Sequence, residues 1–166
     1  MNKAAVLADA TELLYREARL LDTQQWDAWL ELYEPDCVYW VPAWDGEHRL
    51  TDDPAAEISL VYYASRAGLE DRVWRIRSGK SIASVPLVRT VHLIGNVELL
   101  HADDSVCELC ASWTVHVYRT KRKEHQILFG RYEHTLRRTD AGWRIARKKI
   151  TLVNDTISTM VDVYCL

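Results

Sequence analysis

The stretch CELCASWTVHVY, residues 107–118, decides the fold because apolar and polar side chains alternate along it. A period of two places successive side chains on opposite faces of a β-strand. One face carries Cys107, Leu109, Ala111, Trp113, Val115 and Val117, and the other carries Glu108, Ser112, Thr114, His116 and Tyr118. The stretch therefore predicts a long strand that buries one face.

Similar strand-like segments surround this stretch, from residue 87 to residue 154. Turn sequences separate them at residues 102–104, 121–123 and 139–142. Connections this short join antiparallel neighbours, because a parallel crossover needs a dozen or more residues. We therefore predict a meander of four long antiparallel strands.

Helical periodicity dominates residues 3–34. An apolar stripe at spacings of three and four residues is formed by Leu7, Ala10, Leu14, Ala18 and Leu21. A second short helix is expected over residues 25–33, ended by Pro35, and a strand over residues 36–44.

A third helix is expected over residues 58–78, with Gly79 in the position of a C-cap glycine. Helices followed by a strand meander predict an α+β fold, in which the helices pack on one face of a strongly curved antiparallel sheet. One domain should span residues 1–166. The tail, residues 155–166, is apolar enough that we expect it to dock on this domain.

Composition limits the choice of partners. The 166 residues include 21 Lys plus Arg and 24 Asp plus Glu, a formal charge of −3, which argues against nucleic acid and anionic membranes. No apolar run could span a bilayer and no signal-peptide pattern is present, so a cytoplasmic protein is expected. Seven Trp and eight Tyr against one Phe favour contacts with other chains, because both residues combine an apolar body with a polar group.

The cysteines include one pair with metal-ligand spacing, Cys107-x-x-Cys110. Residues three apart on a strand face opposite ways, and no second pair occurs, since Cys37 and Cys165 stand alone. Buried reduced thiols are therefore the favoured interpretation.

Two residues, His101 and Asp103, match part of an iron-binding facial triad, with His116, His125 or His134 as a third ligand. Asp103 also lies in a tight turn, where Asp is common because it hydrogen-bonds to the backbone, and the turn interpretation is favoured. The Cys-x-His and Cys-x-x-His pairs of a Rieske cluster do not occur in the sequence.

Two basic clusters occur in the strand region. Residues 119–123 coincide with a predicted hairpin tip and are expected to be a solvated turn. Arg147, Lys148 and Lys149 on the last strand could pair with carboxylates on a partner subunit.

Helices on a curved sheet form a cone with an internal pocket, which resembles the cystatin-like (NTF2-like) cone of nuclear transport factors, ketosteroid isomerases and scytalone dehydratase. Resemblance to those enzymes would place a general-base carboxylate in the first strand, just before a proline. Here Val41 precedes Pro42 and cannot accept a proton, and Asp36 is expected to be capping or paired.

Three segments resemble the small (β) subunit of Rieske-type aromatic-ring-hydroxylating dioxygenases, above all the benzoate, toluate, anthranilate and halobenzoate group. They are EARLLDTQQWDAWLELYEPDCVYWVPAWD (17–45), LTDDPAAEISLVYYASRAGLEDRVWRIRSGKS (50–81) and RKKITLVNDTISTMVDVY (147–164). The most specific part is EISLVYYASRAGLEDRV, and the segments follow the family's order over nearly the whole chain.

This resemblance implies a non-catalytic subunit with no catalytic, cofactor-binding or metal-binding residue of its own. In the family, the large α subunit carries the Rieske [2Fe–2S] cluster and the mononuclear Fe(II). The β subunits form a trimer that supports three α subunits in an α3β3 oxygenase, and a reductase supplies electrons from NADH. The substrate would be an aromatic carboxylate, whose identity the sequence leaves open.

The candidate contact residues are Tyr63, Arg66, Trp74 and Arg77 on one face of the third helix and Tyr164 in the tail. A solvated helix face rarely needs a Tyr and a Trp, although Trp74 could instead fold back over its own sheet.

Two other classes stay open. A free-standing lyase or isomerase would use Tyr15, Asp36, His92 or His116 as acid–base groups in the pocket, although His92 and His116 also suit half-buried, hydrogen-bonded strand positions. A ligand-binding module without chemistry is the third class.

Overall fold

Helices precede a large sheet in the part of the chain that the computed structural model describes, residues 2–79, 85–154 and 161–166. The elements are α1 (Lys3–Asp22), α2 (Trp26–Leu30), β1 (Tyr33–Pro42), β2 (Trp44–Asp45), β3 (Arg49–Leu50), β4 (Ser59–Tyr63), α3 (Arg66–Arg77), β5 (Arg89–Ala102), β6 (Val106–Arg119), β7 (Glu124–Thr139), β8 (Gly142–Leu152) and a 3-10 turn (Val163–Cys165). Asn2 caps α1, since its side chain accepts a hydrogen bond from the Ala4 amide at 3.0 Å.

Six strands form one sheet in the order β4-β1-β8-β7-β6-β5. The predicted meander is confirmed, because β5 to β8 are antiparallel neighbours in sequence order. On β6 the predicted apolar face is buried, and none of its six residues is more than 3% exposed.

The sheet is mostly antiparallel, as predicted, but among the described residues β1 and β8 run parallel. The 99 residues from 43 to 141 separate the two strands in sequence, so no hairpin dictates their relative direction.

The sheet curves around α1. Register shifts occur in β5 between Gly95 and Glu98 and in β7 between Thr135 and Leu136, and such bulges bend strands. The apolar stripe of α1 faces the sheet, with Ala10, Leu14, Ala18 and Leu21 buried, whereas Leu7 is half-buried. The result is the α+β cone that the sequence predicts.

The second helix is shorter than predicted. It ends at Leu30, and Tyr33 and Pro35 belong to β1, so a helix extending to residue 34 is wrong. Pro35 is tolerated in the strand because the β1–β8 register shifts between Tyr33 and Val38, where an amide hydrogen is not needed for pairing.

The third helix starts later than predicted. Residues 59–63 form strand β4, which pairs antiparallel with β1, and Ser65 is the N-cap of α3. A helix from residue 58 is therefore wrong. Val61 and Tyr62 suit a strand, and pairing with β1 overrides the helical spacing. The end of the helix is confirmed, since Gly79 follows it with a φ of +65°.

The end of the tail docks on the domain, as predicted. Residues 162–166 are buried, and Leu166 has no exposed surface. The Asp162 carboxylate accepts two hydrogen bonds from the Arg72 guanidinium on α3, one of them from Nε at 2.7 Å. The rest of the predicted tail, residues 155–160, lies outside the described residues.

No helix among the described residues has both the length and the apolar character needed to cross a membrane.

Candidate functional site

A charged cluster lies in the interior of the cone. Glu17 of α1 accepts a hydrogen bond from Lys148 Nζ of β8 at 2.8 Å and another from the Tyr33 hydroxyl, while His134 Nε2 of β7 lies 3.8 Å from its Oε2. Glu17 and Lys148 are each 1% exposed and His134 is 2% exposed. The cluster therefore joins α1, β1, β7 and β8 inside the cone.

Burial and charge oppose each other at this cluster. Burial would raise the pKa of Glu17, but the Lys148 ammonium and His134 hold that pKa well below its usual range. Burial lowers the pKa of Lys148, and the Glu17 carboxylate counteracts part of this. Burial also lowers the pKa of His134, which favours the neutral imidazole, and it raises the pKa of Tyr33 well above 10.0. The cluster is an ion pair beside a histidine whose neutral form is favoured by burial.

Aromatic rings surround the cluster and fill the cone. The Trp113 and Tyr132 rings stack with centroids 5.1 Å apart, and Lys148 Nζ lies 4.3 Å from the Tyr132 ring centroid. Trp29 and Tyr39 are fully buried beside them. A cationic amine over a ring face is stabilised by the ring quadrupole, so the rings hold Lys148 in place in an interior filled with side chains.

The groove most relevant to the enzyme alternative lies outside this interior, between α1 and β5. It has a volume of about 320 Å³ and is lined by Tyr15, Ala18, Arg19, Asp22, His92, Leu93 and Ile94. His92 Nδ1 lies 2.6 Å from Asp22 Oδ1, and the His92 amide donates to Oδ2 at 2.9 Å. Burial would raise the pKa of Asp22, but these hydrogen bonds from His92 lower it. The pair fastens the end of α1 to the sheet.

The acid–base groups of the enzyme alternative do not share one site. Tyr15 and His92 line the groove, whereas Asp36 pairs with Arg137 at 3.2 Å on an exposed part of β1, as the pairing interpretation expects. His116 lies on the outer face of β6, where its Nδ1 is 3.0 Å from His125 Nε2. Val41, before Pro42, is fully buried.

The candidate metal ligands form no cluster. Among the described residues, no group of three or more His, Cys, Asp or Glu side chains could hold a metal ion. Asp103 accepts hydrogen bonds from the Ser105 and Val106 amides, each at 2.8 Å, which confirms the turn interpretation. His101 Nε2 lies 3.5 Å from Asp103 Oδ2, and both side chains are exposed to solvent.

The cysteines are free thiols, as predicted. Cys107 is fully buried, whereas Cys110 faces the other side of β6 and is half-buried. Burial raises the pKa of Cys37 and of Cys107 to about 11 and that of Cys165 to about 12, so the protonated thiol is favoured at all three.

The basic cluster on β8 is divided between two faces. Lys148 points into the cone and pairs with Glu17, so its predicted pairing with a partner subunit is wrong. Arg147 and Lys149 lie over the Trp40 ring, and Lys149 Nζ also contacts Glu133 at 3.2 Å. Successive residues of a strand face opposite ways, which is why one cluster in sequence becomes two in space.

The candidate contact residues are distributed unevenly. Trp74 is 68% exposed on α3, so the alternative that it folds over its own sheet is wrong. Arg77, on the same helix, pairs with Asp27 at 2.7 Å, and Arg66 pairs with Glu70 at 2.9 Å. Tyr63 belongs to β4 instead of the helix face.

Tyr164 is 4% exposed because the tail docks on its own domain. Its prediction as a contact residue is therefore wrong.

The sequence patterns do not predict the ion pair between Glu17 and Lys148, although both residues occupy core positions. Glu17 falls on the apolar stripe of α1, between Leu14 and Leu21. Lys148 falls in the inward phase of β8, with Ile150 and Leu152. An opposite charge at a buried position in each of two elements is the signal that could have paired them.

The curved sheet, the helices inside it and the filled interior define a protein of the NTF2-like class. A family model described as "Ring hydroxylating beta subunit" matches residues 16–159. The chain belongs to this family.

Individual relatives agree with this assignment. The chain is 47% identical over 153 residues to the toluate 1,2-dioxygenase subunit beta of Pseudomonas putida, covering 92% of this chain and 93% of that one. It is 46% identical to the 2-halobenzoate 1,2-dioxygenase small subunit of Burkholderia cepacia, covering 94% and 93%. The crystal structure of the benzoate 1,2-dioxygenase beta subunit from Burkholderia mallei matches with a TM-score of 0.80 at 40% identity, covering 96% of each chain.

Proposed function

We propose that this chain is the non-catalytic β subunit of a multicomponent oxygenase that cis-dihydroxylates an aromatic carboxylate. The observation that carries the proposal is family membership, with relatives named for toluate and 2-halobenzoate at 46–47% identity over more than nine-tenths of the chain. A carboxylated benzene ring is the chemistry these substrates share.

The β subunit would form a trimer that supports three α subunits, and the α subunits would hold the Rieske cluster and the mononuclear iron. A separate reductase would supply electrons from NADH, and the assembly would work in the cytoplasm. The interior supports a structural role, since buried aromatic rings and an ion pair lie inside the cone.

The exposed face of α3 is our candidate for contact with another chain. Trp74 projects from it and Arg66 and Arg77 flank it, a combination of Trp and Arg that is enriched at the centres of protein interfaces. Both arginines pair with carboxylates of their own chain, Arg66 with Glu70 and Arg77 with Asp27.

Purification of the chain alone, then with its α partner, tests the proposal. We expect a colourless, iron-free trimer that shows no turnover alone. Ring dihydroxylation of benzoate, toluate or anthranilate should appear only when the α subunit and reductase are added. Turnover by the isolated chain, or full activity of the α subunit without it, would contradict the proposed role.

A further inference from the structure

The groove between α1 and β5 has two walls of different character. Residues three and four positions apart form one wall, because they lie on a single face of α1, and three consecutive residues of β5 form the other. The lining residues are Tyr15, Ala18, Arg19 and Asp22 on α1 and His92, Leu93 and Ile94 on β5. The volume of about 320 Å³ is enough for a small molecule with one ring.

The groove offers apolar surface for such a ring. Ala18 is nearly buried and has the smallest side chain of the lining residues, so it leaves a hollow between larger neighbours. Two of those neighbours are half-exposed, Tyr15 at 51% and Leu93 at 53%. An aromatic ring and an aliphatic chain that line one hollow suit a flat apolar group, because ring–ring contact adds to the burial of apolar area.

Arg19 gives the groove a cation. It is exposed, and its guanidinium pairs with no carboxylate in the described part of the chain. Asp22 is the acidic lining residue, but its Oδ1 accepts hydrogen bonds from Thr90 Oγ1 and His92 Nδ1, and its Oδ2 accepts one from the His92 amide. Its own chain therefore compensates the charge of Asp22, whereas Arg19 can bind a ligand carboxylate through two parallel hydrogen bonds.

The spacing of the aromatic and cationic side chains sets the size of the ligand. Tyr15 and Arg19 are four residues apart, so they lie on the same face of α1 with their Cα atoms about 6 Å apart along the helix axis. A benzene ring that carries one carboxylate has a similar length. The ring and the carboxylate of such a molecule can therefore reach Tyr15 and Arg19 at the same time.

We infer that this groove binds a small aromatic carboxylate, with the carboxylate on Arg19 and the ring between Tyr15 and Leu93. The inference deepens the proposed function and rests on it for the identity of the acid, which is why benzoate is the probe. The β subunit would then bind the aromatic acid itself, in addition to supporting the α subunits.

Titration of the chain with benzoate, followed by the NMR chemical shifts of its backbone amides, tests the inference. We expect a Kd of about 1 mM, as suits one small ring in an open groove, with the shifts concentrated at residues 15–22 and 92–94. Benzamide keeps the ring without the charge and acetate keeps the charge without the ring, so each should bind at least about tenfold more weakly. Benzamide that binds as well as benzoate would overturn the inference.

Three variants test whether benzoate occupies the groove. Arg19→Gln removes the cation and should raise the Kd at least about tenfold, whereas Tyr15→Ala removes the ring and should raise it at least about threefold. Arg16→Gln is the matched control, because Arg16 is an exposed arginine of the same helix that does not line the groove. Benzoate affinity that survives Arg19→Gln, or that falls equally in Arg16→Gln, would overturn the inference.

Activity of the assembled oxygenase separates the groove site from the proposed function. A chain that binds no benzoate but supports ring dihydroxylation with its α subunit and reductase would overturn the groove site and leave the proposed function intact. A chain that binds benzoate in the groove but supports no dihydroxylation in the same mixture would contradict the proposed function and leave the groove site supported.

Discussion

Glu17 on α1 and Lys148 on β8 form an ion pair in the core, with 2.8 Å between Oε1 and Nζ and 1% of each side chain exposed. A buried pair offsets the cost of desolvating two charges only when its geometry is good, but either charge alone in the core is strongly unfavourable. The pair therefore fixes how α1 sits in the curved sheet and gives the first prediction.

Removing one partner should cost much more than removing both. We expect Lys148→Met to lower the free energy of unfolding by about 3–5 kcal/mol, because Glu17 is left buried without its cation. The double variant Glu17→Leu with Lys148→Met should lose less than the sum of the single changes. Urea denaturation measures this, with Lys149→Met, which breaks the partly exposed pair with Glu133, as a control expected to cost under about 1 kcal/mol. Additive single-variant effects would show that the pair is not coupled.

Stability should fall as the pH drops, in two stages. The folded state holds the pKa of His134 below its ordinary 6.5, so the unfolded chain binds more protons and stability decreases below about pH 6.5. The pKa of Glu17 is also lowered, so its contribution is present above its ordinary pKa of 4.5 and is lost as the pH falls further. His134→Gln should flatten the unfolding free energy between pH 7 and 5, whereas His101→Gln, at an exposed site, should not. If the unfolding free energies of His134→Gln and the wild type changed with pH in the same way, His134 would not be the cause of the first stage.

The close approach of β7 to β8 requires a glycine at position 130. A Cβ there would lie 1.8 Å from the Thr151 carbonyl oxygen, which is backbone and cannot move aside. Gly130→Ala should therefore destabilise the protein by roughly 2–3 kcal/mol or more, measured by thermal or urea unfolding. Gly95→Ala is the control, since nothing lies within 4 Å of its Cβ, and it should leave stability unchanged or slightly higher. If Gly130→Ala and Gly95→Ala changed stability equally, the close approach of β7 to β8 at residue 130 would be contradicted.

The α3 face should affect assembly and not folding. Trp74→Ala removes a side chain that is 68% exposed, so we expect its unfolding free energy to stay within about 0.5 kcal/mol of the wild type. Combined with Arg77→Ala, it should weaken formation of the complex with the α subunit in size-exclusion or sedimentation experiments. Arg16→Ala changes an exposed arginine on α1, outside this face, and serves as the control. Unchanged assembly of the Trp74/Arg77 variant would place the contact elsewhere.

Local sequence pattern predicted the structure correctly where a single physical effect, such as burial of one strand face, dominates. The alternation on β6 survives in the structure because burying one face of a strand outweighs other preferences, and the short turns leave β5 to β8 only antiparallel pairing. Residues 59–63 show the limit of such patterns, since Val61 and Tyr62 fit a helical stripe and a strand equally well until β1 supplies hydrogen-bond partners.

The sequence by itself determined that helices precede a meander of long strands, which face of the meander is buried, and the resemblance to a dioxygenase β subunit, because each depends on local periodicity or on a specific run of residues. Only the tertiary structure decided that Glu17 meets Lys148, that Tyr164 belongs to the core and that β1 lies parallel to β8. Those contacts join residues up to 131 positions apart, and no local pattern encodes which distant segments will share a low-dielectric interior.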